Sequence, residues 1–158
     1  MRKPQNDETT PPDREALFKL QRLSAWLLGL PDPWSIMFAQ RDELTHALLR
    51  HLQADGHGAA LRELHDGFDA AGEAADVAEV LAALNDSANH VARAIMAAWL
   101  LGRYLPSETR YRDGDAHAYV MGPEAYRQSL VWHLIGATPM GIPQQGHQPW
   151  ATPPRVVT

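Results

Sequence analysis

The chain contains no cysteine. This excludes disulfides, cysteine-ligated zinc, iron–sulfur clusters and covalently attached c-type haem, although it identifies no compartment. An excess of basic charge is also missing. Fourteen lysines and arginines stand against 19 aspartates and glutamates, a formal net charge of −5. No basic stripe is present to neutralise phosphates, so nucleic acid is not expected as a partner. Apolar runs are short and interrupted by arginine, histidine or glycine, well below the roughly 18 residues of a spanning helix. Membrane insertion is therefore not expected. Arg2-Lys3 is not followed by the roughly 7 to 15 apolar residues of an export signal, so no targeting segment is read in the chain.

Catalytic patterns are equally scarce. No Gly-x-Gly-x-x-Gly follows a strand, and Gly56-His57-Gly58 lacks the third glycine, so no dinucleotide or flavin fingerprint is present. The eight histidines include no His-Glu-x-x-His, and His46 and His51 are five apart, on different helical faces. No metal site and no bound cofactor are expected. Asp42 with His46, and His51 with Asp55, fall at helical i, i+4 spacing and read as surface pairs. Asp113-Gly114-Asp115 lacks the further ligands of a calcium loop and reads as a turn. His133 beside Trp132, or His117, is the only candidate base for a reaction by this chain; a packed or interface histidine is the simpler reading of His133.

What is present is helical patterning. A chain of 158 residues fits one domain that buries roughly 70% of its unfolded surface. Residues 1–12 read as a flexible lead-in, residues 13–136 as a helical domain and residues 137–158 as an extended tail. Asp13 is an N-cap, followed by Leu17, Leu20, Leu23, Trp26, Leu27 and Leu28 up to Gly29. Asp32-Pro33 opens a second, longer helix with Trp34, Met37, Phe38, Leu44, Leu48 and Leu52, ending near Gly56.

Leu61, Leu64 and Phe68 mark a third helix ended by Gly72, and Val77, Val80, Leu81 and Leu84 a short fourth before Asn85. Asp86 or Ser87 caps the next helix, whose Val91, Ala94, Ile95, Ala98, Trp99 and Leu101 make it the most buried. Leu105 to Met121 places Asp113-Gly114 between Tyr111 and Tyr119, a hairpin pattern whose strands are too short to be stable alone, and reads as an ordered loop. Pro123 opens a last helix running to Gly136, with Tyr126, Leu130, Trp132, His133 and Leu134. The expected fold is all-α, a small irregular bundle of about five to six helices.

The tail is the least ordinary stretch. From Gly136 to Thr158 it carries five prolines (Pro139, Pro143, Pro149, Pro153, Pro154), one formal charge (Arg155) and Trp150. Proline removes a donor and fixes φ, so the segment favours extended conformations that need a surface to lie on. Few charges and a tryptophan are the opposite of a disordered composition, which makes docking on its own domain or on another chain the expectation, with a frayed terminus as the alternative.

The order of these elements resembles the small subunit of membrane-bound FAD-dependent sugar and polyol dehydrogenases, the sorbitol dehydrogenase small-subunit family. The likeness runs from Phe18-Lys-Leu-Gln-Arg-Leu-Ser-Ala-Trp-Leu-Leu-Gly29 through Ala98-Trp99-Leu100-Leu101-Gly102 and Tyr126 to Trp132. It ends at Gln148-Pro149-Trp150-Ala151-Thr152-Pro153.

The resemblance implies a non-catalytic partner. In that family FAD and the catalytic histidine sit on a large subunit of the glucose–methanol–choline oxidoreductase type, often joined by a multihaem cytochrome c subunit. The small subunit supports folding, maturation and twin-arginine export of the large one, which implies a periplasmic location at the membrane through partners, with the cytoplasm as the alternative. The residues expected to bind the partner are Tyr126, Trp132, His133, Pro149, Trp150 and Pro153; no catalytic, cofactor or metal residue is expected. The family's twin-arginine leader is not seen before Asp13. No cysteine stands between Ala137 and Gln148, where some relatives have one, so any link to a large subunit is expected to be non-covalent. A free-standing helical adaptor or regulator is the alternative reading.

Overall fold

The computed structural model describes residues 14–30, 41–106, 118–137 and 139. The expected lead-in, the Asp13 cap, the Asp32-Pro33 helix start, the Asp113-Gly114 turn, and Pro149, Trp150 and Pro153 lie outside those residues. The described chain is a small all-α bundle, 72% helical, with one two-stranded ladder.

Helix α1 (Arg14–Leu27) turns Leu20, Leu23, Trp26 and Leu27 inward. Ser24 sits in the same buried stripe because its hydroxyl donates back to the Leu20 carbonyl at 2.6 Å, which satisfies it without water. Helix α2 (Asp42–Ala54) buries Leu44, Leu48, Leu49 and Leu52 against it. Contrary to expectation, α2 is not continuous with residues before Asp42, since Arg41 has φ −117° and ψ 44°, outside the helical region.

Helix α3 (Gly58–Ala71) buries Leu64 and Phe68, and the short helix α4 (Val77–Ala83) packs on it, capped by the Asp76 carboxylate accepting from Ala78 N at 2.8 Å. Trp26 of α1 meets Phe68 of α3 with ring centres 5.1 Å apart, closing that side of the core.

Helix α5 (Asp86–Leu101) is the hub, as its broad apolar face implied. It buries Ala88, Val91, Ala92, Ala94, Ile95, Ala98 and Trp99, and it packs against α1, α2 and α3 and against the segments 103–104, 123–128 and 130–134. Four of those seven are alanines, whose small size lets neighbouring backbones come close while Trp99 fills the centre. Its cap is Asn85, not Asp86 or Ser87: the Asn85 side chain accepts from Ala88 N at 2.8 Å.

Two strands follow, β1 (Arg103–Tyr104) and β2 (Tyr119–Val120), paired antiparallel with Arg103 opposite Val120 and Tyr104 opposite Tyr119. The expectation of a loop without strands is corrected to that extent. The pair persists because Tyr104 is fully buried against α5 and Met121 N donates to the Gly102 carbonyl at 3.1 Å, so the ladder is pinned to the bundle.

The expected last helix is divided into α6 (Pro123–Gln128) and α7 (Leu130–Leu134). Ser129 breaks it with φ −62° and ψ 144°. Its hydroxyl donates to the Tyr126 carbonyl at 2.8 Å, offering the backbone an alternative to the next helical turn.

Candidate partner-docking surface

The α6–α7 pair is fastened to the bundle from three directions. Ala125 and Leu130 are buried, and α6 lies directly on the end of α5 at Gly102. There the chain needs glycine twice over, for its φ of +65° and because any Cβ would stand 2.7 Å from Tyr126 Cα. The break at Ser129 frees the Gln128 carbonyl, which accepts from Arg41 Nε at 2.8 Å. Partial burial shifts the Arg41 guanidinium below its ordinary pKa. The Gln128 side chain accepts from Leu44 N at 3.3 Å and donates to Glu124 at 3.0 Å. A glutamine from α6 thus caps α2, whose own N-cap residue, Arg41, makes no side-chain cap.

Tyr126 and Trp132 come together across the break. Their rings meet edge to face at 5.1 Å, and the indole Nε1 donates to the Tyr126 carbonyl at 3.0 Å. That carbonyl also receives Ser129 N and the Ser129 hydroxyl. With its one polar atom engaged, half-buried Trp132 presents only apolar ring surface to the outside.

His133 is exposed on the following residue. Leu134, named in the sequence as part of the last helix, is 53% exposed, and Ile135 is 61% exposed. Of the six residues expected to bind a partner, Tyr126 lies on α6 and Trp132 and His133 on α7, while Pro149, Trp150 and Pro153 lie outside the described residues. The exposure of Leu134 and of Ile135 and the Arg41–Gln128 link were not read from the sequence. The signal for the first two was the adjacency of two large apolar residues immediately before Gly136.

Beside this element, a cleft of about 560 Å³ runs between α2 and the β2–α6 segment. It is lined by apolar Ala47, Met121, Pro123 and Ala125 and by Glu43, His46, Arg50 and Glu124. Glu124 already pairs with Arg127 at 3.3 Å.

Along α2, the two i, i+4 pairs read from the sequence have other partners. Asp42 accepts from Gln21 at 3.3 Å. His51 bonds Tyr119 through Nδ1 at 3.0 Å and stacks on Tyr104 at 4.9 Å, while Asp55 accepts from the buried Tyr104 hydroxyl at 3.0 Å. Desolvation pulls the His51 pKa below its ordinary value, with nearby Asp55 opposing and Arg50 reinforcing the shift.

No family model, no curated protein and no solved structure matches this chain. Among the described residues no helix is long and apolar enough to cross a membrane, and no group of three or more histidine, aspartate or glutamate side chains is arranged to hold a metal ion.

Proposed function

We propose that the chain is the non-catalytic small subunit of an FAD-dependent sugar or polyol dehydrogenase complex. In this reading it binds a large, flavin-bearing subunit of the glucose–methanol–choline type, supports its folding and maturation, and escorts it to the periplasm. There the complex is held at the membrane by its partners, among them a multihaem cytochrome c subunit.

The observation that carries this reading is the apolar end of the bundle. Leu134 and Ile135 are more than half exposed beside the Tyr126–Trp132 pair, at the point where the chain continues toward the proline-rich segment with Trp150. Aromatic anchors ringed by apolar contacts concentrate binding energy at protein interfaces, and proline-stiffened chain loses less entropy on docking than a flexible one. The division of labour follows from the sequence resemblance, which assigns flavin to the partner.

The test is expression of a candidate large subunit with and without this chain, measuring its FAD content and soluble yield. The proposal expects both to fall when the chain is omitted. Equal flavin loading and yield without it, or oxidation of a sugar by the isolated chain with a dye acceptor, would overturn the assignment.

A further inference from the structure

Two histidines outside the docking surface meet where the α2–α3 turn touches the start of α5. His57 occupies the N-cap position of α3, and His90 lies in the second turn of α5, 33 residues further along. Their ring centres are 5.5 Å apart, with the planes tilted by 41°. Both Nε2 atoms are buried from solvent and neither has a hydrogen-bond partner. The pair does not satisfy itself, since the rings do not hydrogen-bond each other through these atoms.

A buried polar atom without a partner calls for a ligand, a water or an ion. Here the two rings that carry such atoms come from separate elements, with their centres 5.5 Å apart. Buried Trp26 Nε1 shares their lack of a partner, but an indole N–H can only donate, whereas an imidazole nitrogen carries a lone pair that binds metals. A zinc–nitrogen bond of about 2.0–2.1 Å, lengthened by the radius of the ring, puts each ring centre roughly 3.2 Å from the metal. Two rings at a near-tetrahedral angle then lie about 5–6 Å apart. The observed spacing falls within that range.

We propose that His57 and His90 form a two-histidine site for a borderline divalent transition-metal ion of the zinc class. The protein supplies two nitrogen ligands, fewer than the four of a closed structural site. Asp55, two residues before His57, adds a negative charge close enough to favour a cation there. A bound ion would tie the α2–α3 turn to α5, linking two elements of the bundle by a bond that either histidine alone cannot make.

The test is calorimetric titration of Zn²⁺ into the metal-free full chain, alongside His57→Gln, His90→Gln and the control His65→Gln. Outer-shell changes alone cost about tenfold or more in metal affinity, so loss of either ligand is expected to cost no less. The site predicts binding of a single zinc ion that His65→Gln leaves intact and each of the other two variants weakens by at least that factor. Zinc binding unchanged in both variants, or no zinc binding by the wild-type chain, would overturn it. Should a variant fail to fold, the wild-type protein is sufficient. Zinc must then shift the imidazole NMR resonances of His57 and His90 together and ahead of the other histidines, and a shift spread over all of them refutes the site.

Discussion

Replacing Gly102 by alanine adds one methyl group at the joint between α5 and α6. Two separable costs arise there. Residue 102 has φ +65°, and a non-glycine residue in the left-handed region loses roughly 1–2 kcal/mol. The new Cβ would also stand 2.7 Å from Tyr126 Cα, 2.8 Å from the Ala125 carbonyl oxygen and 2.9 Å from its carbon. All three are backbone atoms, which cannot swing aside as a side-chain tip can, and forced overpacking of this kind costs about 1–3 kcal/mol. The entropy that alanine removes from the unfolded chain returns about 0.4–1 kcal/mol. The expected net loss is about 2–4 kcal/mol, a large share of the roughly 5–15 kcal/mol that stabilises a domain of this size.

Gly29 provides the matched control. Its φ is +61°, but nothing lies within 4 Å of a Cβ built there, so with the same entropy return Gly29→Ala is expected to cost only about 0–1.5 kcal/mol. Urea unfolding followed by circular dichroism measures both variants, with equal m-values required before the midpoints are compared. If Gly102→Ala proves no more destabilising than Gly29→Ala, the close seating of α6 on α5 is refuted, and with it the positioning of the docking element.

Further outcomes follow from the same geometry. Tyr104→Phe removes a fully buried hydroxyl and leaves the Asp55 carboxylate and the His51 carbonyl short of a donor, so a loss of about 1–3 kcal/mol is expected by denaturant melts. Gln128→Ala uncaps α2, and amide hydrogen exchange at Leu44 N should accelerate while the centre of α5 stays protected. His51 and His65 are both depressed, chiefly by desolvation, so the unfolded chain binds more protons than the folded one just below the ordinary histidine pKa near 6.5. Stability is therefore full above about pH 6.5 and falls as the pH drops through that value toward the folded pKa values. Melting temperatures measured from pH 7.5 to 5.5 with a chelator present should decline, and less steeply in His65→Gln; a rise on acidification would contradict the sign.

The helical skeleton was legible because it is written in local signals. Gly29, Gly72 and Gly102 end their helices where the apolar stripes stop, and the width of the stripe from Val91 to Leu101 identified the hub. What escaped notice depends on groups distant in sequence. Arg41 and Gln128 are 87 residues apart, and nothing near either one announces their bond. Tyr104 and Tyr119 pair because α5 and His51 hold them, not because two-residue strands have any stability of their own. Ser129 is an ordinary helix-surface residue by pattern, and its break becomes intelligible only once Trp132 and Arg41 are seen to use the Tyr126 and Gln128 carbonyls it frees. The exposure of Leu134 and Ile135 was hidden for the same reason: a periodic stripe assigns a face, and a broken helix changes which way that face points.

The central claim is that the apolar α7 end grips a flavoprotein. Its most direct measurement is the flavin absorbance that co-purifies with an affinity-tagged chain from cells that also express a candidate large subunit, comparing wild type with Leu134→Ser/Ile135→Ser. Both side chains are largely exposed, so the double variant should fold with an unchanged helical spectrum and lose most of the co-purifying flavin. Undiminished flavin recovery with that variant would contradict the account.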